Sequence, residues 1–146
     1  MIFRAPEPDV VIPEIALTPF LLERAAAFGD KPALIDGPTG RTLSYRGWAE
    51  AVRRAAAGLS TRGFRKGDVF AIYRPNLPEY AIAFHAVSLL GGIVTTINPL
   101  YTVAELRHQL EDAGARALVT VPPFLDKATQ AAREAEFGLT IPAMME

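Results

Sequence analysis

The apolar positions of the chain change their spacing near residue 69, and a different architecture is predicted on each side of that point. Before it, apolar residues recur at helical spacing, and two short apolar runs flank the turn Gly37–Gly40. After it, short apolar runs alternate three times with helical segments. Such alternation is typical of a parallel sheet covered by helices. We therefore predict an α/β fold, in which a β-hairpin plus helix precedes three βα units of a parallel sheet.

Capping and turn residues delimit the predicted elements, because Ser and Thr favour helix starts and Gly favours helix ends. Residues 1–17 are Pro-rich and are predicted to be extended. The elements that follow are a helix from Thr18–Pro19 to Phe28, strands over 33–35 and 41–43, a helix over 45–62 capped by Ser44, a strand over 69–73, a helix over 78–90, a strand over 93–97, a helix opened by Thr102 and Glu105, a strand over 117–121 and a helix over about 124–135.

One long stretch, from Tyr80 to Ala104, carries no formally charged residue and is long enough to suggest a membrane span. Gly91–Gly92 divides this stretch, and the segment after it is β-branched. A buried helix followed by a buried strand is therefore the preferred interpretation. The helix is apolar almost all round, so we expect one uncovered face. We also expect self-association through an uncovered helix or sheet face.

Composition and charge argue against several kinds of partner and of catalytic chemistry. The 146 residues are 50% apolar and carry a net charge of −1, which favours neither nucleic acid nor an anionic membrane as a partner. The chain has no cysteine, which removes disulfides, thiolate metal sites and cysteine nucleophiles. This fits a reducing compartment, and we expect a cytoplasmic location. Charges and prolines near the N-terminus argue against a signal peptide.

The search for catalytic motifs finds no Gly-rich phosphate loop and no nucleophile elbow. The two histidines are not spaced as a metal pair, so neither a catalytic residue nor a metal site is predicted. His85 lies inside the most apolar helix, and a core histidine with one hydrogen-bond partner is preferred over an acid, a base or a ligand. His108 is interpreted as solvated.

The best candidate for function is the loop Asn98–Thr102, which follows a predicted parallel strand and precedes a helix. Ligands of open α/β sheets bind at this edge, and free N–H groups at a helix start attract anions. Every βα unit has such a loop, however, and few of these loops bind ligands. On the residues alone, an ordinary turn is the favoured interpretation.

Six segments occur in an order and at a spacing that are typical of one family. They are Ile2–Arg4 with Pro8–Pro13; Thr42–Tyr45; Ala55–Leu59 with Gly63 and Lys66–Asp68; Pro75–Tyr80; Gly91–Ile97; and Asn98–Leu106. Together they resemble the adenylate-forming acyl-CoA synthetases, and most of all the 4-coumarate–CoA ligases. Val103 departs from the proline common at its position, and Leu77 departs from a small polar residue.

The resemblance implies a ligase that joins an aryl or fatty carboxylate to CoA through an acyl-adenylate, with ATP, Mg²⁺ and CoA as cofactors. The family's phosphate loop, ribose-binding acid and C-terminal lysine have no counterpart in the 146 residues. We therefore expect an incomplete N-terminal subdomain of the adenylate-forming ligase fold. Residues 18–146 would be a partial AMP-binding domain, truncated before the phosphate loop, that binds no cofactor firmly and is inactive alone. By resemblance, Asn98, Pro99, Tyr101 and Thr102 would approach the CoA arm.

Two other classes of protein remain as alternatives. The first is a non-catalytic truncated product or an interaction module. The second is an unrelated Rossmann-like nucleotide binder, which the lack of a Gly-rich loop after Val69–Tyr73 disfavours.

Overall fold

The computed structural model describes residues 10–135, in which helices and strands follow one another in the predicted order. The elements are α1 (Leu17–Phe28), β1 (Pro32–Ile35), β2 (Thr42–Ser44), α2 (Tyr45–Thr61), β3 (Val69–Tyr73), α3 (Pro78–Leu89), β4 (Ile93–Ile97), α4 (Val103–Asp112), β5 (Ala115–Thr120), a 3₁₀ turn (Pro122–Phe124) and α5 (Leu125–Glu134). The α/β class and the three βα units are confirmed. What was predicted for residues 1–9 and 136–146 lies outside the described residues.

The strands form two separate sheets. β1 and β2 pair antiparallel as the predicted hairpin, with Ile35 opposite Thr42. The other sheet is parallel, in the order β4-β3-β5, so β3 lies at its centre. Because the chain passes from β4 to β5 across β3, the strand order differs from the sequence order.

Side chains alternate along β3 and divide the apolar core between the two faces of the parallel sheet. Ala71 and Tyr73 point toward Leu106 and Leu110 of α4, and the small residues of α5 complete that layer. Phe70 and Ile72 point to the opposite face, where α3 and Phe64 cover them. The helix that follows β3 therefore lies on one face, and the helices that follow β4 and β5 lie on the other.

A third apolar cluster lies outside the parallel sheet and covers α3. Leu22 and Ala25 of α1 pack there with Trp48 and Val52 of α2, and Ile82 of α3 contacts them. Every residue of α3 is buried or half-buried. The expectation that this helix leaves one face uncovered is therefore wrong, because α1 and α2 fold back over it.

Two of the predicted helix caps are confirmed, and one is wrong. The Ser44 Oγ accepts a hydrogen bond from the Gly47 N–H at 3.1 Å, and Thr102 forms the capping box with Glu105. Thr18 is not a cap, because α1 begins at Leu17 and Ala16 occupies the N-cap position. The Thr18 side chain is instead buried and bonded to His85, so a tertiary contact overrides its local preference.

Two boundaries near the end of the described chain differ from the prediction. β5 begins at Ala115 rather than at Ala117, and α5 is preceded by the 3₁₀ turn Pro122–Phe124. Prolines have no N–H donor, and this loss is tolerated in a first helical turn, where N–H groups have no partner within the helix. Among residues 10–135, no helix has the length and apolarity that crossing a membrane requires.

Candidate functional site

The carboxyl ends of the three parallel strands meet at one edge, where the loops after β3 and β4 are neighbours. The loop after β3 leads to α3 on one face, and the loop Asn98–Thr102 leads to α4 on the other. The two loops therefore diverge from adjacent strands to opposite faces of the sheet, which is the position at which open α/β sheets form a crevice. Crevices of this kind are the usual ligand sites of open α/β sheets.

Two side chains from other elements hold the loop Asn98–Thr102 in place. The hydroxyl group of Tyr73, at the end of β3, donates to the Pro99 carbonyl oxygen at 3.3 Å. The Lys127 ammonium group, on α5, donates to the Tyr101 carbonyl oxygen at 2.7 Å. Sequence reasoning missed both residues. For Tyr73, the available signal was a tyrosine, with its polar hydroxyl group, at the end of an apolar strand. No sequence signal identified Lys127.

The four predicted site residues lie side by side, but part of their hydrogen-bonding capacity is used within the loop. The Asn98 Oδ1 accepts from the Leu100 N–H at 3.0 Å. The Thr102 Oγ1 accepts from the Glu105 N–H at 3.3 Å, and the Glu105 carboxylate accepts from the Thr102 N–H at 2.8 Å. Asn98 and Thr102 are exposed, whereas Pro99 and Tyr101 are half-buried. These contacts give the loop a fixed conformation.

Hydrogen bonds from Thr102 stabilise the charged form of the Glu105 carboxylate. The hydrogen bond from the Thr102 backbone N–H, followed by the one from its hydroxyl group, lowers the pKa of Glu105. Lys127 adds a smaller attraction. Because Glu105 is ionised and already bonded at the start of α4, it acts as part of the capping box rather than as an acid or a base.

A buried arginine lies at the other loop of the crevice. Arg74 follows β3 directly, its side chain is 3% exposed, and its Nη2 lies 3.5 Å from the Glu79 Oε2 in the first turn of α3. Glu79 also pairs with Arg41, so it bridges the hairpin and the parallel sheet. Burial lowers the pKa of Arg74, and Glu79 opposes that effect. Sequence reasoning missed this network, although an arginine immediately after an apolar strand signals a buried charge.

The two histidines lie apart from the crevice and from each other. The His85 Nδ1 is 2.8 Å from the Thr18 Oγ1, and the ring contacts Trp48 and Phe84 edge-on, so the interpretation as a core histidine is confirmed. His108 is exposed on α4, as expected. Within residues 10–135, no three His, Cys, Asp or Glu side chains are placed to hold a metal ion.

Comparison with known proteins reveals similarity over most of the chain. The family described as "AMP-binding enzyme" matches residues 21–142. The 4-coumarate–CoA ligase 4 of Arabidopsis thaliana is 40% identical over 133 residues, which are 88% of this chain and 23% of that protein. The 4-coumarate–CoA ligase 5 of Oryza sativa subsp. japonica is 42% identical over 129 residues, which are 88% of this chain and 24% of that protein.

The fold has counterparts of known structure. A long-chain-fatty-acid–CoA ligase from Archaeoglobus fulgidus superposes with a TM-score of 0.86 at 24% identity, over 97% of this chain and 30% of that one. A benzoate–CoA ligase from Burkholderia xenovorans LB400 superposes with a TM-score of 0.83 at 23% identity, over 90% of this chain and 26% of that one. The chain spans about a quarter of the length of the curated relatives it matches. Since the family match extends over residues 21–142, the chain belongs to the AMP-binding enzyme family.

Proposed function

We propose that this chain is part of the adenylation domain of an ATP-dependent acid–CoA ligase that acts on an aryl or fatty carboxylate. The observation that carries the proposal is the 40% identity to a 4-coumarate–CoA ligase over 88% of the chain. In such a reaction, the carboxylate attacks the α-phosphate of ATP to give an acyl-adenylate and pyrophosphate. The CoA thiol then displaces AMP and leaves a thioester.

The cofactors of the proposed reaction are ATP, Mg²⁺ and CoA. Mg²⁺ would neutralise charge that develops on the phosphates during transfer. The described residues do not fit a site for this ion, because none of their acidic side chains form a ligand cluster. We therefore assign no metal-dependent step to residues 10–135.

The proposed contribution of the described residues is to position the loop Asn98–Thr102 beside the CoA arm. Support comes from its place at the carboxyl edge of the sheet and from the anchors Tyr73 and Lys127. The Asn98 Oδ1 accepts a bond within the loop, and the Thr102 Oγ1 both accepts from the Glu105 N–H and donates to the Glu105 carboxylate. A ligand would therefore meet the remaining donor, the Asn98 Nδ2.

A chimeric enzyme tests this proposal. Residues 10–135 replace the matching part of the Arabidopsis thaliana 4-coumarate–CoA ligase 4, and pyrophosphate release is measured with ATP, CoA and 4-coumarate. We expect turnover within about tenfold of the parent enzyme, which corresponds to a loss of no more than about 1.4 kcal/mol of transition-state stabilisation. A chimera that folds, as judged by circular dichroism, but lacks turnover would contradict the proposal.

A second candidate is a non-catalytic product or interaction module, and one observation favours it for the 146-residue polypeptide. The catalytic segments that the family resemblance implies have no counterpart in these residues. We expect the polypeptide to give no pyrophosphate release above the blank, with the Arabidopsis ligase as positive control. Calorimetric titration with ATP and then with CoA would show whether it binds either ligand without turnover. Robust turnover would overturn this second candidate.

The proposal also includes the organisation of the chain and its surroundings. Residues 18–146 would be the partial adenylation domain, and the location would be cytoplasmic, as the absence of cysteine favours. Self-association would use the outer edge of β4, where Ile93 is 54% exposed. A single monomeric peak in size-exclusion chromatography at high protein concentration would count against self-association.

A further inference from the structure

The strand β4 (Ile93–Ile97) forms one edge of the parallel sheet, and its outer side carries backbone groups that face no other strand. The Ile93 N–H donates to the Asp68 carbonyl oxygen at 2.9 Å, next to the start of β3. Because backbone groups alternate in direction along a strand, those of Val94 and Thr96 face away from β3. All five residues of β4 are β-branched, and none is charged or a proline. This edge therefore lacks the charges and prolines that commonly prevent strand pairing.

One side chain of α4 covers part of this edge. The Gln109 Nε2 donates to the Thr96 carbonyl oxygen at 3.0 Å and to the Thr95 Oγ1 at 2.9 Å. The Thr96 carbonyl oxygen is an acceptor that an added strand would need. Gln109 therefore competes with any strand that pairs along β4. Its hydrogen bond can be replaced, because the exchange of one neutral hydrogen bond for another costs little.

The outer edge of β4 is complementary to itself. A two-fold axis through Thr95, perpendicular to the sheet, places Val94 of each copy opposite Thr96 of the other. The two residues of each such pair exchange both of their N–H···O bonds, as in any antiparallel ladder. Thr95 then lies opposite Thr95 of the second copy as a non-hydrogen-bonded pair. This register uses every outward backbone group of Val94 and Thr96.

Polar side chains of α4 fit the same axis. α4 connects two parallel strands and so runs opposite to β4. His108, Gln109 and Asp112 line the cavity beside Thr95 and Thr96, and Gln109 lies level with these two residues. Along the strand direction, His108 then lies about 3 Å to one side of the axis and Asp112 about 3 Å to the other. Since the axis reverses this direction, His108 of each copy comes level with Asp112 of the other, and an imidazole N–H can donate to a carboxylate.

We propose that β4 pairs antiparallel with β4 of a second copy of this chain, about the axis through Thr95, and that Gln109 weakens this pairing. The partner is a second copy because the outward backbone groups complement themselves and because His108 meets Asp112 on both sides of the axis. The two three-stranded sheets become one continuous sheet. This inference rests on the self-association through β4 that forms part of the proposed function, and it adds the register, the polar contact and the competing side chain.

A cysteine cross-link tests the register. The Cα atoms of a non-hydrogen-bonded antiparallel pair lie about 4.5 Å apart, which a disulfide can span. The chain has no cysteine of its own, so Thr95→Cys introduces a single thiol. We expect mild oxidation of Thr95→Cys to give a covalent dimer on a non-reducing gel. Thr61→Cys, an exposed change at the end of α2, is the matched control and should cross-link at least about tenfold more slowly, because pairing does not raise its effective concentration.

Sedimentation equilibrium of further variants tests the contacts, with circular dichroism as the check on folding. Gln109→Ala should tighten the dimer about tenfold, because the Thr96 carbonyl oxygen no longer exchanges one hydrogen bond for another. Asp112→Asn should weaken it about threefold, since an exposed polar contact is weakened on each side of the axis. Thr96→Lys, at an exposed position, should abolish it, because an edge lysine opposes strand pairing. Gln130→Ala, an exposed change on α5, should have no effect.

Cross-linking at residue 95 that is no faster than at residue 61, or a dimer that survives Thr96→Lys, would overturn this pairing and leave self-association to another surface. A Gln109→Ala chain that stays monomeric at high protein concentration would overturn the pairing and the self-association together. None of these results bears on the ligase function, which the chimeric enzyme tests separately.

Discussion

The Oγ1 of Thr18 lies 2.8 Å from the Nδ1 of His85, and this hydrogen bond joins the first turn of α1 to the middle of α3. Thr18 is 1% exposed, and the His85 ring also meets the Trp48 ring edge-on with 5.2 Å between the centroids. Burial lowers the pKa of His85 below its ordinary value of 6.5. The junction of α1 and α3 therefore contains a titratable group whose neutral form the fold favours.

The stability of the chain should consequently fall as the pH drops below the ordinary histidine pKa of 6.5. In that range the unfolded state takes up a proton at His85 and the folded state resists it, so unfolding becomes more favourable. Urea unfolding followed by Trp48 fluorescence at about pH 7.5 and about pH 5.5 measures the change, since unfolded histidine titrates between these values.

His85→Gln should reduce this pH dependence, and His108→Gln, on the exposed side of α4, serves as the matched control. If the free energy of unfolding of His85→Gln still differs as much between the two pH values, groups other than His85 cause the pH dependence. Thr18→Val should cost about 1 kcal/mol at neutral pH, because the His85 Nδ1 loses its partner in a partly buried position.

Replacement of Glu79 by Gln should destabilise the fold by about 2–3 kcal/mol, because the buried Arg74 loses a carboxylate partner. Arg41→Gln is the control, since Arg41 is 58% exposed and its ion pair should contribute about 1 kcal/mol or less. Urea denaturation of both variants measures the free energies of unfolding. If the two variants lose the same free energy of unfolding, the burial of Arg74 does not determine the cost of Glu79→Gln.

Gly92→Ala should destabilise the chain by about 1–3 kcal/mol through overpacking. A Cβ at Gly92 would lie 2.6 Å from the Phe64 Cε1 and 2.9 Å from the Val87 Cγ1, and both of these side chains are buried in the core. Gly37→Ala is the matched control, because a Cβ there meets nothing within 4 Å. Thermal unfolding of the two variants measures this effect. Equal unfolding midpoints would contradict the prediction.

Loss of the anchors should loosen the loop Asn98–Thr102 without unfolding the chain. In Lys127→Met the Tyr101 carbonyl oxygen loses its donor, and in Tyr73→Phe the Pro99 carbonyl oxygen loses its donor. We expect amide hydrogen exchange at Leu100 and Tyr101 to become about three- to tenfold faster, as local opening becomes easier. Lys66→Met, an exposed change, is the control. Unchanged exchange rates would show that the two anchors do not hold the loop.

The sequence predicted the elements of the parallel sheet well, because local signals determine them. β3 and β4 have the predicted bounds, since each is a short apolar run between turn residues. The capping box of Thr102 and Glu105 likewise needs only residues that are close in sequence. The loop Asn98–Thr102 could be placed at the carboxyl edge for the same reason.

The long-range features could not be predicted from the sequence. Thr18 has the residue type of a cap, but its partner His85 is 67 positions away in the chain. The cover that α1 and α2 provide for α3 depends on how the chain folds back, which alternation of strands and helices does not specify. The anchoring of the loop by Lys127 has the same cause, because α5 lies next to the loop only in the folded chain.

The central position of β3 affects the order in which the strands of the sheet can pair while the chain is being synthesised on the ribosome. β3 is synthesised before both of its neighbours, and it gains β4 only after α3 has formed the first crossover. Its other edge stays open until Thr120 emerges, 47 residues after Tyr73, and closes the sheet with a hydrogen bond to the Tyr73 carbonyl oxygen. The first strand of the sheet to be made is thus the last to be fully paired. Until then its open edge can pair with another chain, as any unpaired strand edge can.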